Sequence, residues 1–338
     1  MLTIEEIEAA HENLLPIPSG DVVYARMQYP LTRMFYPLGF PVEISTNSQI
    51  VLDVAAESWG AFVECFQAPA IHIQVGVLEG SSDVCPPAPR PRVQQHLFSF
   101  VADHDNYGVI DMAQGFAGLW LTTQAVKYRS YLRHFFLECA IVCPIATRYV
   151  TGVHAACVER NEIGVLLCGD SGAGKSTLSY ACAKAGWTYI TDDGSFMVNG
   201  ADDVVVTGNC HQIRFRPSTA SIFSEIGGRE ITQRAEVGKP SIELSPASLP
   251  DIRCSQTAKV KYVVFLNRRE GGNFSLQPYS KDIVRKFLHQ GRFSPMDRMP
   301  AHYAAIDKLL ELEVLELRYD DLDWALQQLE LLVGIEAP

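Results

Sequence analysis

The 338-residue chain has no Cys-x-x-Cys pair, no basic stripe, and no apolar stretch long enough to cross a bilayer. Each lack closes a class of protein. Nine cysteines, an odd number, are scattered along the chain, and Cys157, Cys168 and Cys182 lie inside apolar runs. That is the usage of reduced thiols as small core residues in a cytoplasmic protein, not of a disulfide framework. Cys139 and Cys143 stand one helical turn apart, but no histidine joins them at ligand spacing, which argues against zinc. Lys and Arg number 28 against 39 Asp and Glu, a formal charge of −11, and a nucleic-acid surface needs the basic stripe that is missing. The longest apolar stretch, Phe135 to Tyr149, is broken by Glu138, Pro144 and Arg148, and Glu5, Glu6 and Glu8 interrupt any leader-like region. Neither a membrane span nor a signal peptide is expected.

What is present reads as a soluble globular protein: 47% of residues are hydrophobic and 20% charged. The length suggests two domains, each able to bury a core, with residues 1–148 as an α+β N-terminal domain for recognition or assembly and 149–338 as a catalytic domain. In the first, Thr3 to Asn13 offers a capped helix. Val22 to Tyr24, Phe40 to Ile44 and Gln49 to Leu52 are short β-type runs, and Ala55 to Phe66 looks helical. Ile71 to Val77 alternates as a half-buried strand with His72 and Gln74 outward. The proline-rich Cys85 to Arg92 reads as a loop unable to form a paired strand. Strands over His96–Val101, Tyr107–Met112 and Gly118–Leu121 precede a long helix, Thr123 to Ala146, with Arg129, Arg133 and His134 on its polar side.

The second half is organised around Ile163 to Asp193. The apolar run Ile163 to Cys168 predicts a strand buried on both faces of a parallel sheet. It ends in Gly169-Asp170-Ser171-Gly172-Ala173-Gly174-Lys175-Ser176, which fits the Walker A pattern G-x-x-x-x-G-K-[ST] at every fixed position. A polyphosphate must be wrapped by backbone N–H groups, and residues without a Cβ let the chain curl that tightly. Gly169 through Thr177 are therefore the expected nucleotide ligands. Lys175 supplies charge to the β and γ phosphates, Ser176 joins Mg²⁺, and the helix Ser176 to Ala185 adds its N-terminal dipole. Gly186 stands where a C′ glycine belongs. The next strand, Trp187 to Thr191, delivers Asp192 and Asp193 to the carboxyl edge of the sheet, where ligands gather. Two adjacent carboxylates repel unless they share a cation or a proton.

Gly169 to Ser176, Gly186 and the Asp192-Asp193 pair resemble the catalytic domain of HPr kinase/phosphorylase, whose loop reads G-D-S-G-x-G-K-S and whose next strand ends in a paired Asp. Val153-His154 matches a Val-His of that family at the corresponding distance before the loop. The likeness is strong over Gly152 to Asp193 and loose beyond, and a more distant one exists to phosphoenolpyruvate carboxykinase. It implies an α/β P-loop kinase domain of the HPr kinase/PEP carboxykinase type. It further implies ATP and Mg²⁺, Asp193 as general base, His154 as an active-site residue near the γ-phosphate, and a homo-oligomer.

Gln212, Arg214 and Arg216 alternate onto one face of the segment Cys210 to Pro217, where guanidinium groups aimed at phosphate would stabilise transferring charge. The resembled family carries Glu-Ile-Arg here, its Glu a metal ligand, whereas this chain has Gln212-Ile213-Arg214. Mg²⁺ is then left to Ser176, Asp192 and Asp193. Gly227-Gly228 and Gly238-Lys239-Pro240 flank a polar loop, with Lys239 a further phosphate candidate. No counterpart of the family's arginine-glycine-asparagine segment for phosphorolysis is found, which disfavours the reverse reaction. Val260 to Leu266 predicts a buried strand followed by Arg268-Arg269, and Asp321 starts a final helix.

The leading expectation is a kinase moving the γ-phosphoryl of ATP to a hydroxyl, serine above all, on an unidentified protein, peptide or small-molecule acceptor. Asp193, His154, Lys175 and Arg214 carry the catalysis. The alternative is an ATP-binding regulator without transfer. A carboxykinase-type use of oxaloacetate would require further cationic ligands.

Overall fold

The computed structural model describes residues 9, 11–13, 27–80, 83–231, 240–249, 251–289 and 297–335. Most of the expected N-terminal helix, the Val22 to Tyr24 run and Lys239 lie outside the described residues. The chain divides into two compact units, one of Met1–Ala61 with Ala68–Pro144, the other of Phe62–Gln67 with Ile145–Pro338. Both are mixed α/β. No helix among the described residues is long and apolar enough to cross a membrane.

Among the described residues, the first unit carries a seven-stranded sheet. Val42–Thr46, Ile71–Leu78 and Phe116–Thr122 run parallel as neighbours. Parallel neighbours need a crossover, and between the first two it is the helix Gln49–Trp59. This corrects the reading of Gln49 to Leu52 as a β run: Val51, Leu52, Ala55 and Trp59 are buried at helical spacing. The helix stops at Trp59 and does not reach Phe66. The proline-rich stretch also departs from expectation, because Arg90–Gln94 is a strand paired with Leu97–Val101. It lies at the edge of the sheet, where Pro91 needs no outward donor. The long helix is broken: Thr123–Lys127 ends at Tyr128 with ψ 81°, a π-helical turn spans Leu132–Leu137, and α-helix resumes at Glu138–Arg148.

In the second unit the strand Ile163–Cys168 pairs parallel with Thr257–Arg268 and antiparallel with Ala155–Arg160. The sheet is thus mixed: the loop strand has a parallel neighbour on one side, as its apolar run leads one to expect, and an antiparallel one on the other. Ala155–Arg160 and Ile163–Cys168 form a hairpin whose turn residues, Asn161 and Glu162, both have positive φ (53° and 61°), the primed geometry that suits strand twist. Thr188–Thr191 adds antiparallel to the far side of Ala155–Arg160, and Glu313–Tyr319 adds parallel to Thr257–Arg268.

These directions place the site. Two antiparallel steps return Thr188–Thr191 to the direction of Ile163–Cys168, so Asp192, Asp193 and Gly169 emerge at one edge of the sheet. Ala155–Arg160 runs the other way and therefore begins at that edge, beside His154. Thr257–Arg268 and Glu313–Tyr319 end there too.

One face of the sheet buries Val284, Leu288, Ile306 and Leu309 from the helices Lys281–His289 and Met299–Leu309. The other buries Leu178 and Cys182 of the helix Lys175–Lys184, with Ala325 and Leu329 of Leu322–Leu332. Asp321 caps the last helix, accepting from the Trp324 N–H at 2.7 Å. Gly186, φ +86°, ends the loop helix in a Schellman arrangement: its N–H reaches the Ala183 carbonyl at 3.1 Å and the Trp187 N–H reaches Cys182 at 3.0 Å. The stretch 62–67 joins this unit through Gln256, whose side chain accepts from the Val63 N–H at 2.7 Å and donates to the Val63 carbonyl at 3.0 Å. Phe62 meets the ring of His211 edge-on at 4.7 Å.

Candidate active site

The loop Gly169 to Gly174 turns back on itself through three glycines of positive φ, 146° at Gly169, 97° at Gly172 and 98° at Gly174. L residues with a Cβ disfavour that region. A Cβ on Gly174 would also overlap the Tyr319 hydroxyl, which donates to the Ala173 carbonyl at 3.0 Å. The end of Glu313–Tyr319 thus braces the loop from beneath. Gly174 is the N-cap of the helix Lys175–Lys184, which directs its first N–H groups at the space the loop encloses. The Lys175 ammonium is buried and donates to the carbonyls of Gly169 at 2.7 Å and Asp170 at 3.2 Å. Burial lowers its pKa, against the opposing pull of Asp193.

The loop opens on a cavity of about 520 Å³. Of the expected site residues, His154, Ser171, Gly172, Gly174, Lys175, Ser176, Thr177, Asp192, Asp193 and Arg214 line it. Gly169, Asp170 and Ala173 are not on its wall, and their carbonyls instead accept the Lys175 and Tyr319 bonds described above. Arg216 also faces the cavity and donates to the Ser171 hydroxyl at 2.8 Å. Among the described residues, four cationic groups, Lys175, Arg214, Arg216 and Arg268, stand against two carboxylates on this wall. In a chain of net charge −11, that local excess favours an anionic ligand.

The two aspartates sit in opposite surroundings. Asp192 is buried, accepting from the Tyr189 hydroxyl at 3.1 Å and from the Arg214 N–H at 3.0 Å. Burial pushes its pKa up to about 6, and the neighbouring Asp193 charge adds to the rise despite the two hydrogen bonds. Asp193 is open, its side chain 57% exposed, with Oδ1 3.1 Å from His154 Nδ1. An imidazole protonated at Nδ1 would donate there and fix the carboxylate's direction. Together the pair offers one carboxylate sensitive to proton or cation and one accessible acceptor, the division of labour that acid–base chemistry uses.

Gln212 does not face the cavity as a free ligand. Its Nε2 donates to Glu243 at 2.6 Å and its Oε1 accepts from Arg214 Nη2 at 3.2 Å. Three contributors escaped the sequence reading. Arg268, which pairs with Asp320 at 3.5 Å, closes a parallel strand at the carboxyl edge, and the rule that ligands gather there could have flagged it. Tyr189 and Glu243 carried no local signal: the first is one more aromatic in a buried strand, the second lies on Ile242–Leu244 and meets Arg214 only through long-range pairing. Among the described residues no group of three or more His, Cys, Asp or Glu could by itself cage a metal.

Two predictions test this geometry. Gly174→Ala should destabilise the protein by about 2–3 kcal/mol through strained backbone and overlap. In a Tyr319→Phe background the same change should cost about 1 kcal/mol less. Equal losses of urea midpoint in both backgrounds would exclude the close approach. The second concerns Asp192. Its folded pKa lies above the unfolded value, so the folded state holds the proton more tightly; the resulting destabilisation is absent below about pH 4 and complete above about pH 7. In chelator, wild type minus Asp192→Asn should lose up to about 3 kcal/mol across that window. A flat difference contradicts the assigned burial.

No family model and no curated protein matches the chain. Among solved structures it is similar to the HPr(Ser) kinase/phosphatase from Coxiella burnetii, at 13% identity and a TM-score of 0.31, over 54% of this chain and 93% of that one. Identity and TM-score at these levels carry no activity from one protein to the other.

Proposed function

We propose that the second unit is an ATP-dependent phosphotransferase acting on a hydroxyl group. One observation carries the reading: loop, helix N-terminus, carboxylate pair and His154 meet on a single cavity whose wall holds an excess of cations. The loop and helix receive the β and γ phosphates, and Lys175, Arg214 and Arg216 offset the charge that spreads over the transferring phosphoryl group. The acceptor oxygen attacks the γ-phosphorus as its proton passes to Asp193; the new O–P bond forms, the bond to the β-phosphate oxygen breaks, and ADP leaves. His154, 3.1 Å from Asp193, holds that carboxylate in line.

Asp192, Asp193 and Ser176 are hard oxygen donors on the same wall and fit Mg²⁺ that completes its shell with phosphate and water oxygens. Bound there, the ion would neutralise charge between the phosphates. The missing carboxylate at Gln212, whose amide is engaged at both ends, favours a second reading, an ATP-binding regulator that does not transfer.

Asp193→Asn is expected to lower turnover by about 10²–10⁴-fold while changing the affinity for ATP in the absence of Mg²⁺ less than about threefold. Labelled ATP and Mg²⁺, supplied with a cell extract as the acceptor source, give the readout as label transferred and ADP released. Undiminished turnover in the variant removes Asp193 as base. Tight ATP binding by wild type with no ADP release selects the regulator.

A further inference from the structure

Arg214 is held through its backbone and its side chain at once. Its strand, Ile213–Phe215, pairs antiparallel with Ile242–Leu244, which sets Glu243 directly opposite. Glu243 Oε1 lies 3.3 Å from Arg214 Nε, and Glu243 is 12% exposed. The contact from Nε is an ion pair without a hydrogen bond, so charge alone holds that side. Gln212 closes the ring, its Oε1 accepting from Arg214 Nη2 at 3.2 Å and its Nε2 donating to Glu243 Oε2 at 2.6 Å. The backbone ties the ring to the carboxylate pair, since the Arg214 N–H serves Asp192 and the Gln212 carbonyl, 2.9 Å from the Tyr189 hydroxyl, shares that single O–H with Asp192.

A half-buried carboxylate behind a wall that gathers anions would weaken anion binding unless it had a compensating task. We propose that Glu243 is a positioning residue. Resting on the phosphotransfer reading above, it grips Nε of Arg214 while Gln212 grips Nη2, and the remaining edge of the guanidinium is thereby fixed toward the phosphoryl oxygens of ATP. The planar fork makes this possible, because the hydrogen bond at Nη2 sets the direction and the carboxylate charge beside Nε keeps the guanidinium from swinging away from it. The amide at 212 is then required by the acid at 243. A second carboxylate would face the first at hydrogen-bond distance, whereas an amide accepts from the arginine and donates to the acid at once. Exchanging the two side chains preserves the acid–amide ring, so the exchange is a test of the ring itself.

The experiment is a set of calorimetric ATP titrations in Mg²⁺, with melting temperatures, on wild type, Arg214→Ala, Glu243→Gln and the double variant. Arg214→Ala should weaken ATP binding about tenfold and Glu243→Gln about fivefold, and the double variant should bind no more weakly than Arg214→Ala alone. Gln212→Glu should lower the melting temperature, and Gln212→Glu with Glu243→Gln should restore it and bring ATP affinity within about twofold of wild type. Additive losses, an unchanged affinity in Glu243→Gln, or an exchanged pair that recovers melting temperature without affinity would each overturn the positioning role. A wild type that binds no ATP overturns the phosphotransfer reading and this role with it. A wild type that binds and transfers while the cycle is additive overturns this role alone.

Discussion

A carboxylate taken out of water is the constraint on which the second unit's arrangement depends. Asp192 has little solvent to stabilise its charge, so the fold must supply donors from elsewhere. It does so with a tyrosine hydroxyl from the same strand and a backbone N–H from the segment that carries Arg214. The second of these bonds, with the contact of the same tyrosine hydroxyl to the Gln212 carbonyl, ties Ile213–Phe215 to the strand end, and with it the direction from which the guanidinium groups approach. Lys175 meets the complementary problem. Its buried ammonium rests on carbonyls that the turning loop exposes, so loop curvature and lysine placement are one feature. Both charges are held by the fold itself.

The site was legible where its chemistry is local in the chain. Gly169 to Ser176 is contiguous, and the strand before it is apolar because both its faces are covered. Asp192 and Asp193 follow a strand, so the edge they occupy follows from direction alone. What was hidden depends on pairing between distant segments. The antiparallel Ala155–Arg160 lies between the loop strand and Thr188–Thr191, and no periodicity records which neighbour a strand chooses. Glu243 reaches Arg214 through a two-stranded sheet whose members lie far apart in sequence.

In the first unit, Gln49 to Leu52 read as β because Ile50, Val51 and Leu52 are branched and apolar, a preference that packing overrides when a parallel crossover must be made. Arg90–Gln94 shows the reverse. Proline excludes a strand only where both edges need donors, and at a sheet margin one edge does not.

The stretch 62–67 has a consequence for how the molecule can be divided. The polypeptide leaves the first unit after Ala61, contributes six residues to the second, and returns at Ala68. Expression of residues 145–338 by themselves would leave Gln256 without its backbone partner at Val63 and His211 without the Phe62 ring. A shortened clone that misfolds would therefore report the loss of a borrowed patch of core, and a faithful dissection of the second unit must carry that hexapeptide along.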